Sequence, residues 1–457
     1  MNLFTPTDRR PVHFVGVGGA GMSALAMIAC RRGVVVSGCD TDPAGAADVA
    51  AMGARIWAGH DPAHLDGARA VVVSAAVPEQ HPELARARAL GIPVVPRKEA
   101  LAALVGSARS VCVSGTHGKT TTTVMATEAL AEAGLAPTGL AGGRVTAWGG
   151  NARLAGDDLF VVEADEYDKA FLTLHPTVAV VNNVEPDHLE CYGSVEALED
   201  AFVEFAGRAA TAVISADDPG AGRVAARLAG RVSRFGFAEE ADVRICDTMQ
   251  LADRTEAEVR WRDGRSLRLR LRVPGVHNLR NAVGALAACD ALGADLDRAA
   301  GALAEFTGVG RRFERLGEHG GVAVVDDYAH HPSELTATLA AARQAFPGRR
   351  LVAVFQPHLY SRTAAHGRAM GEALAAADMV VVTEVYAARE QPIPGVSGRQ
   401  VADAAQEAGA DARFEPTRAA VGRRVYEALE PGDVVLTLGA GDITRVGPEL
   451  VGWLGAA

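Results

Sequence analysis

The chain has 457 residues, of which 49% are apolar, 22% charged and 5% aromatic. That balance suits a globular protein with several buried cores and excludes a disordered or fibrous one, and at one domain per ~150 residues about three domains are expected. With 45 Lys and Arg against 56 Asp and Glu the formal net charge is −11, which argues against nucleic acid or an anionic membrane as partner, so any anion must be held by a local site.

Lysine occurs only at Lys98, Lys119 and Lys169, which makes each one worth locating. The six cysteines (Cys30, Cys39, Cys112, Cys191, Cys246 and Cys289) form no C-x-x-C pair. They read as small apolar residues of a reducing compartment, and a metal held by thiolate is not expected. Met1 to Arg10 has no apolar signal core, and no run approaches the ~18 apolar residues of a membrane span; a cytoplasmic protein is expected.

From Val12 to about Ser107, short β-branched runs alternate with helical stretches. Val12–Val17, Val34–Cys39, Ala70–Ser74 and Pro93–Val95 read as buried strands, and Met22–Arg32 and Pro82–Leu90 carry helical spacing. This is the pattern of a parallel α/β unit. A second unit opens with a strand at Val111–Ser114, a glycine turn and a helix from about Lys119 to Ala133. Strands at Leu159–Val162, Val178–Val181 and Ala212–Ile214 follow, with a helix near Val195–Ala206. Arg231–Val273, with Arg and Leu alternating over Leu267–Leu271, reads as antiparallel strands at a sheet edge, and helical spacing returns in Asn278–Leu292. Beyond Gly308 a third unit carries strands at Val322–Val325, Leu351–Phe355, Met379–Val382 and Val434–Leu438. Boundaries are therefore expected near residues 107 and 308.

Gly16-Val17-Gly18-Gly19-Ala20-Gly21 fits G-x-G-x-x-G between the first strand and helix, and Asp40 ends the next strand. Backbone amides and a helix N-terminus at such a turn meet a diphosphate, and the acid accepts from a ribose hydroxyl. The motif does not say which nucleotide; on this segment alone a hydride-transfer enzyme using a nicotinamide cofactor remains open, and simple helix–strand packing is the plainer alternative.

Ser114-Gly115-Thr116-His117-Gly118-Lys119-Thr120-Thr121 also follows a strand and opens a helix. Amides cradle phosphate oxygens in such a loop, Lys119 neutralises β/γ charge and the Thr120 hydroxyl reaches magnesium. With Val at 113 and the first glycine at 115, the loop is shorter than the eight-residue Walker spacing. A lysine at a helix N-terminus faces the positive end of the dipole, a conflict that a bound anion resolves. Glu163-Ala164-Asp165-Glu166-Tyr167-Asp168 and Asn182-Asn183-Val184-Glu185-Pro186-Asp187-His188 each end a buried strand. Glu163 and His188 are thereby candidates to converge on the loop and hold magnesium. His188 reads equally as a packing or capping histidine, and Asp165, Glu166 and Asp168 as outer or solvated acids.

Taken in order, these motifs resemble the Mur ligase family: V-G-G-A-G-M-S-A-L-A at Val17–Ala26, G-T-H-G-K-T-T at Gly115–Thr121, E-A-D-E-Y-D at Glu163–Asp168, and N-V-E-P-D-H-L at Asn183–Leu189. The likeness continues through P-G-V-H-N-L-R-N-A at Pro274–Ala282, D-D-Y-A-H-H-P at Asp326–Pro332 and P-I-P-G-V-S-G at Pro392–Gly398. The resemblance implies an α/β fold in three domains. A Rossmann-like UDP-sugar domain would span 1–107, a central phosphate-loop ATPase-type domain with a mostly parallel sheet 108–308, and a Rossmann-like closing domain 309–457.

It also implies a cofactor set of ATP and Mg2+, and roles for individual residues. Gly18, Ala20, Gly21, Asp40 and Ser74 would hold the UDP moiety. Gly115, Thr116, His117, Gly118, Lys119, Thr120 and Thr121 would hold the ATP phosphates, and His277, Asn278 and Asn281 the adenine side. Asn offers donor and acceptor together, as an adenine edge requires; Asn278 alone reads as a helix N-cap. Arg312 would contact phosphate, Asp327 and His330 would approach the nucleotide on closure, and Thr120, Glu163 and His188 would hold the metal. Asp326, His331 and Glu314 read equally as structural hydrogen-bonding groups. Some relatives carry a carbamylated lysine that bridges metals later in the chain; no lysine follows Lys169, so that device is ruled out.

The activity implied is the joining of L-alanine to the carboxylate of UDP-N-acetylmuramate through an acyl phosphate, in peptidoglycan precursor synthesis, by a monomer or weak homodimer. Arg362, at the end of the Phe355–Thr363 stretch, would hold the amino-acid carboxylate; relatives often have arginine at the Leu359 position as well. Ligation of a recycled tripeptide to the same sugar nucleotide is the alternative within the family, and its usual first glycine loop differs from Gly16–Gly21. A nicotinamide-dependent oxidoreductase or a nucleotide sensor is the alternative outside it.

Overall fold

The computed structural model describes residues 3–388 and 390–456, so the first two residues of the Met1–Arg10 segment lie outside it. No helix among the described residues is long and apolar enough to cross a membrane. The chain divides into two compact units. The first runs to Asp247 and includes Ala257–Leu269 and Arg280–Glu305; the second takes Thr248–Glu256, Arg270–Leu279 and the chain from Phe306 onward.

Three sheets organise the molecule. The first has five parallel strands in the order Arg55–Ala58, Val36–Asp40, Val12–Val15, Ala70–Val73 and Val94–Pro96. Its helix Ala20–Arg31 is apolar nearly all round, with Met22 to Ala29 buried. One side meets this sheet and the other meets Gly150, whose hydrogen lies against the Met27 thioether. A helix covered on both sides keeps no polar face.

The second sheet has ten strands in the order Ser266–Leu271, Thr255–Trp261, Val243–Gln250, Val232–Gly236, Thr211–Ser215, Val178–Val181, Arg109–Ser114, Leu159–Glu163, Thr138–Val145 and Gly150–Arg153. Its body is parallel, and the last pair is antiparallel. The antiparallel expectation for Arg231–Val273 needs correction at its start: Val232–Gly236 runs parallel to Thr211–Ser215, and Val243 onward parallel to it. The reason is the helix Pro219–Ala226, capped by Asp218 accepting from the Ala221 amide at 2.7 Å, which carries the chain back so that the next strand starts from the same end. Ser266–Leu271 does form the outermost strand, with Leu269 and Leu271 buried in alternation.

The third sheet lies wholly in the second unit, in the order Glu314–His319, Val322–Asp327, Val434–Leu438, Leu351–Phe355, Met379–Thr383 and Asp411–Glu415. Only the first pair is antiparallel. The carboxyl ends of Val322–Asp327 and Leu351–Phe355 lie either side of Val434–Leu438, and the loops leaving these three strands meet there, as open α/β sheets place their ligand sites.

Candidate active site

At the first glycine turn, Gly16 has φ +80°. Gly18 donates its amide to Asp40 Oδ2 at 2.9 Å, and Asp42 donates to Asp40 Oδ1 at 3.0 Å. Asp40 thus shapes the loop with both oxygens, a task not anticipated for it. A Cβ on Gly21 would lie 2.6 Å from Arg97 Nη1. Arg97, which the sequence reading passed over, opens the helix Arg97–Val105 and pairs with Asp165 at 3.5 Å, while Lys98 pairs with Asp168 at 2.8 Å. These two acids are therefore tied to cations rather than merely solvated. Arg97, Lys98, Ser74 and Tyr167 share the wall of a cavity of about 360 Å³.

The phosphate loop turns on Gly115 (φ +133°) and Gly118 (φ +77°). It is strapped to the neighbouring strand end: His117 donates its amide to Asn183 Oδ1 at 2.7 Å, Asn182 Nδ2 donates to the His117 carbonyl at 3.3 Å, and the Glu185 amide donates to Thr116 Oγ1 at 2.9 Å. A Cβ on Gly118 would lie 2.6 Å from Asn281 Oδ1, so Asn281 is placed at the loop itself. Thr120 and Thr121 are buried in the first turn of the helix Lys119–Glu132.

Lys119 donates to the Gly115 carbonyl at 2.7 Å and to Glu166 Oε1 at 2.8 Å. Glu166 is only 2% exposed, so of the two readings, outer or solvated acid, burial removes the solvated one. Burial works against the lysine's charge, but Glu166, Asp165 and Glu163 outweigh it and hold its pKa above that of a free lysine. Burial in turn raises Glu166, with Lys119 opposing. Glu166 Oε2 is buried with no hydrogen-bond partner among the described residues.

Glu163 ends the strand Leu159–Glu163 on one side of the phosphate-loop strand, and His188 lies in the segment after Val178–Val181 on the other, at the start of the short helix Leu189–Tyr192. Glu163 Oε2 accepts from the Gly142 amide at 2.8 Å. His188 adopts φ +53° and stands between Asp187 and Glu190, 3.7 and 3.5 Å away, with the Tyr167 ring edge-on to it.

Asn278 is no N-cap: it sits inside the first turn of Val276–Ala291 and donates Nδ2 to the Pro274 carbonyl at 2.7 Å. His277 folds back against Gly275.

In the second unit, Glu334 is a hub that sequence reasoning missed. Its carboxylate meets Arg312 at 3.7 Å and His330 Nδ1 at 3.2 Å, and accepts from the His330 and His331 amides. Arg312 lies over the Tyr328 ring, 5.0 Å from its centre. The His330 and His358 rings are 6.0 Å apart, and His358 Nδ1 lies 3.4 Å from Arg362 Nη1. Arg312, His330 and Arg362 are thereby linked, with Arg362 only 7% exposed. Asp327 accepts from the Phe313 and Ala329 amides at 2.7 and 2.8 Å; burial raises its pKa to about 6, with Arg312 opposing. Asp326 braces Arg311, Thr437 and Thr444, Glu314 accepts from the Arg311 amide, and His331 caps the helix Pro332–Ala345, all framework contacts.

Three family profiles match in tandem: "Mur ligase family, catalytic domain" over residues 11–109, "Mur ligase middle domain" over 113–289 and "Mur ligase, glutamate ligase domain" over 311–441. UDP-N-acetylmuramate–L-alanine ligases from Streptomyces coelicolor and Cutibacterium acnes are 47% and 45% identical to the chain. They are aligned over 98% and 99% of it and 98% of each relative. The chain belongs to the Mur ligase family. It resembles the crystal structure of a UDP-N-acetylmuramate–alanine ligase from Thermotoga maritima with a TM-score of 0.85 and 30% identity, covering 98% of this chain and 99% of the other. As a Mur ligase it is an ATP-dependent, ADP-forming enzyme.

Proposed function

We propose that this Mur ligase joins L-alanine to the carboxylate of UDP-N-acetylmuramate in peptidoglycan precursor synthesis, working in the cytoplasm as a monomer or weak homodimer. The observation that carries the reading is the loop lysine, Lys119, held at a helix N-terminus between the Gly115 carbonyl and buried Glu166, in a chain whose relatives named for this reaction align along almost its whole length. The functional division proposed is 1–107 for the sugar nucleotide, 108–308 for ATP and 309–457 for closure.

A carboxylate resists an amine because its leaving group would be oxide. Transfer of the γ-phosphoryl of ATP to the sugar carboxylate gives an acyl phosphate; the amine of L-alanine attacks it, and the tetrahedral adduct collapses to the amide with loss of phosphate. Lys119 and Arg312 supply positive charge where the phosphoryl oxygens gain negative charge, the dominant need in such a transfer. Gly115 to Thr121 present amides to the phosphates, and His277, Asn278 and Asn281 serve the adenine side. Gly18, Ala20, Gly21, Asp40 and Ser74 shape the UDP-sugar site, and Arg362 holds the amino-acid carboxylate. Asp327 and His330 approach the nucleotide as the 309–457 domain closes, excluding water that would hydrolyse the acyl phosphate.

The donor types suit magnesium: a buried Thr120 hydroxyl, the Glu163 carboxylate and the His188 imidazole, while one oxygen of buried Glu166 has no hydrogen-bond partner among the described residues. Bound there, the ion would offset charge on the β and γ oxygens. Phosphate release measured with ATP and magnesium, omitting the UDP sugar or L-alanine in turn, tests the assignment. Release should need both. Release that needs a tripeptide in place of alanine would move the chain to the recycling ligases, and none with all substrates present would overturn the reading.

A further inference from the structure

The five-stranded sheet has a second polar centre, made of residues with no part in the site above. His13 is in register with Ser37, so it shares with Cys39, two residues on, the face opposite Phe14 and the helix Ala20–Arg31. The helix Pro82–Ala89 covers that face and brings in Glu83, which is 0% exposed. A buried carboxylate needs a cation or a full set of donors. Among the described residues no lysine or arginine pairs with Glu83; its neighbours are imidazoles and a thiol.

The distances describe a compact cage. Cys39 Sγ is 3.2 Å from both Glu83 oxygens, 3.4 Å from His13 Nε2 and 3.2 Å from His60 Nδ1. His60 Nδ1 is 3.3 Å from Glu83 Oε2, and His13 Nε2 is 4.0 Å from Oε1. A tetrahedral zinc ion with bonds of about 2.0–2.3 Å sets its ligands about 3.3–3.7 Å apart; the separations at Cys39 and His60 lie within about 0.1 Å of that range, and His13, Cys39 and Glu83 form one cluster able to hold a metal, with the 4.0 Å His13–Glu83 edge the longest. The outer ring is also in place. His13 Nδ1 lies 3.0 Å from Ser37 Oγ, which turns Nε2 into the cage; the Asp61 amide and His64 Nδ1 reach Glu83 Oε1 at 3.2 and 3.1 Å, and Trp57 stacks on His64. Such partners orient metal ligands and fix their tautomers. The Cys39 thiol, the Asp61 amide and His64 Nδ1 lie within hydrogen-bonding distance of Glu83, whereas His81 Nδ1, 3.8 Å away, is buried without a hydrogen-bond partner among the described residues.

We propose that His13, Cys39, His60 and Glu83 bind one divalent transition ion of the zinc type, a structural site in the first sheet distinct from the magnesium of catalysis. A mixed thiolate, imidazole and carboxylate set selects a borderline-soft ion over magnesium, and binding releases the Cys39 thiol proton to solvent. The Cys39 carbonyl accepts from the Gly16 and Val17 amides at 2.9 and 3.2 Å, so the ion would brace the strand from which the glycine turn hangs.

The test uses the full chain, stripped with chelator and titrated with Co2+ in excess magnesium. One equivalent of cobalt should bind with a thiolate charge-transfer band and the strong visible absorption of a tetrahedral site, both abolished by one equivalent of zinc. Cys39→Ser should remove the charge-transfer band. His60→Ala, at the ligand with a 22% exposed side chain, should keep the fold and weaken cobalt binding ~10-fold or more; it decides the matter alone if the cysteine variant does not fold. No band in the parent chain, or cobalt binding unaltered by His60→Ala, would overturn the proposal.

Discussion

Lys119 carries two duties that pull its substitutions in different directions. In the proposed reaction its ammonium meets the developing phosphoryl charge, and in the structure it is the counter-ion of buried Glu166. Lys119→Ala should therefore cut phosphate release ~100-fold or more. It should also lower stability by up to about 3–5 kcal/mol, because an unpaired buried carboxylate remains. Adding Glu166→Gln should restore much of the urea midpoint without restoring turnover. A double variant that regains activity would mean that the lysine serves only to balance the charge of Glu166. Arg362 makes a second test at this scale. A guanidinium can hold a carboxylate by two parallel hydrogen bonds that an ammonium cannot reproduce, so Arg362→Lys should raise the KM for L-alanine far more than those for ATP or the UDP sugar. Unchanged alanine kinetics would return Arg362 to the framework.

The unit of function one level up is the strand end with its loop. The phosphate loop has a left-handed glycine immediately before its helix, with Asn281 and Asn182 packed where a Cβ would go. Gly118→Ala should add about 1–3 kcal/mol of strain and displace the amides that meet phosphate, so ATP binding, followed by calorimetry, should weaken while UDP-sugar binding holds. Glu163 and His188, which follow from the strands on either side of the phosphate-loop strand, are proposed to hold the metal together. Glu163→Gln and His188→Ala should each raise the magnesium needed for half-maximal rate. If neither moves it, the metal is held elsewhere.

For the molecule as a whole, Asp327 links stability to pH. Its folded pKa is raised from 3.8 to about 6, chiefly by burial, so between those values the folded chain keeps a proton that the unfolded chain has lost. Stability from this group is accordingly greatest below about pH 4, falls as pH rises to 6, and is level above that, a range of about 3 kcal/mol. Other carboxylates titrate in the same window. The prediction is therefore read as a difference: the change in unfolding free energy from pH 4 to 7 should be less negative in Asp327→Asn than in the parent chain. Parallel profiles would mean that Asp327 ionises normally in the folded state.

Much of this was legible in the residues alone, because some physical requirements are local. Turns that must present amides need glycine at set spacings, and central strands buried on both faces need unbroken β-branched runs, so the two glycine loops and strands such as Val178–Val181 and Leu351–Phe355 stand out in one dimension. Some edge strands do not: Arg55–Ala58, Glu314–His319 and Asp411–Glu415 are partly exposed, carry no such run, and were invisible. The partners of the legible residues were hidden for a related reason. Glu166 reads as one acid in a run of four until folding buries it against Lys119, and Glu334 reads as a helix-face acid until its loop brings Arg312 and His330 to it. His13, Cys39, His60 and Glu83 obey no motif, since they come from two strands, a loop and a helix. Spacing along a chain records what one element must do, whereas burial and pairing depend on which elements meet, and that is set by how the three sheets pack their strands and helices.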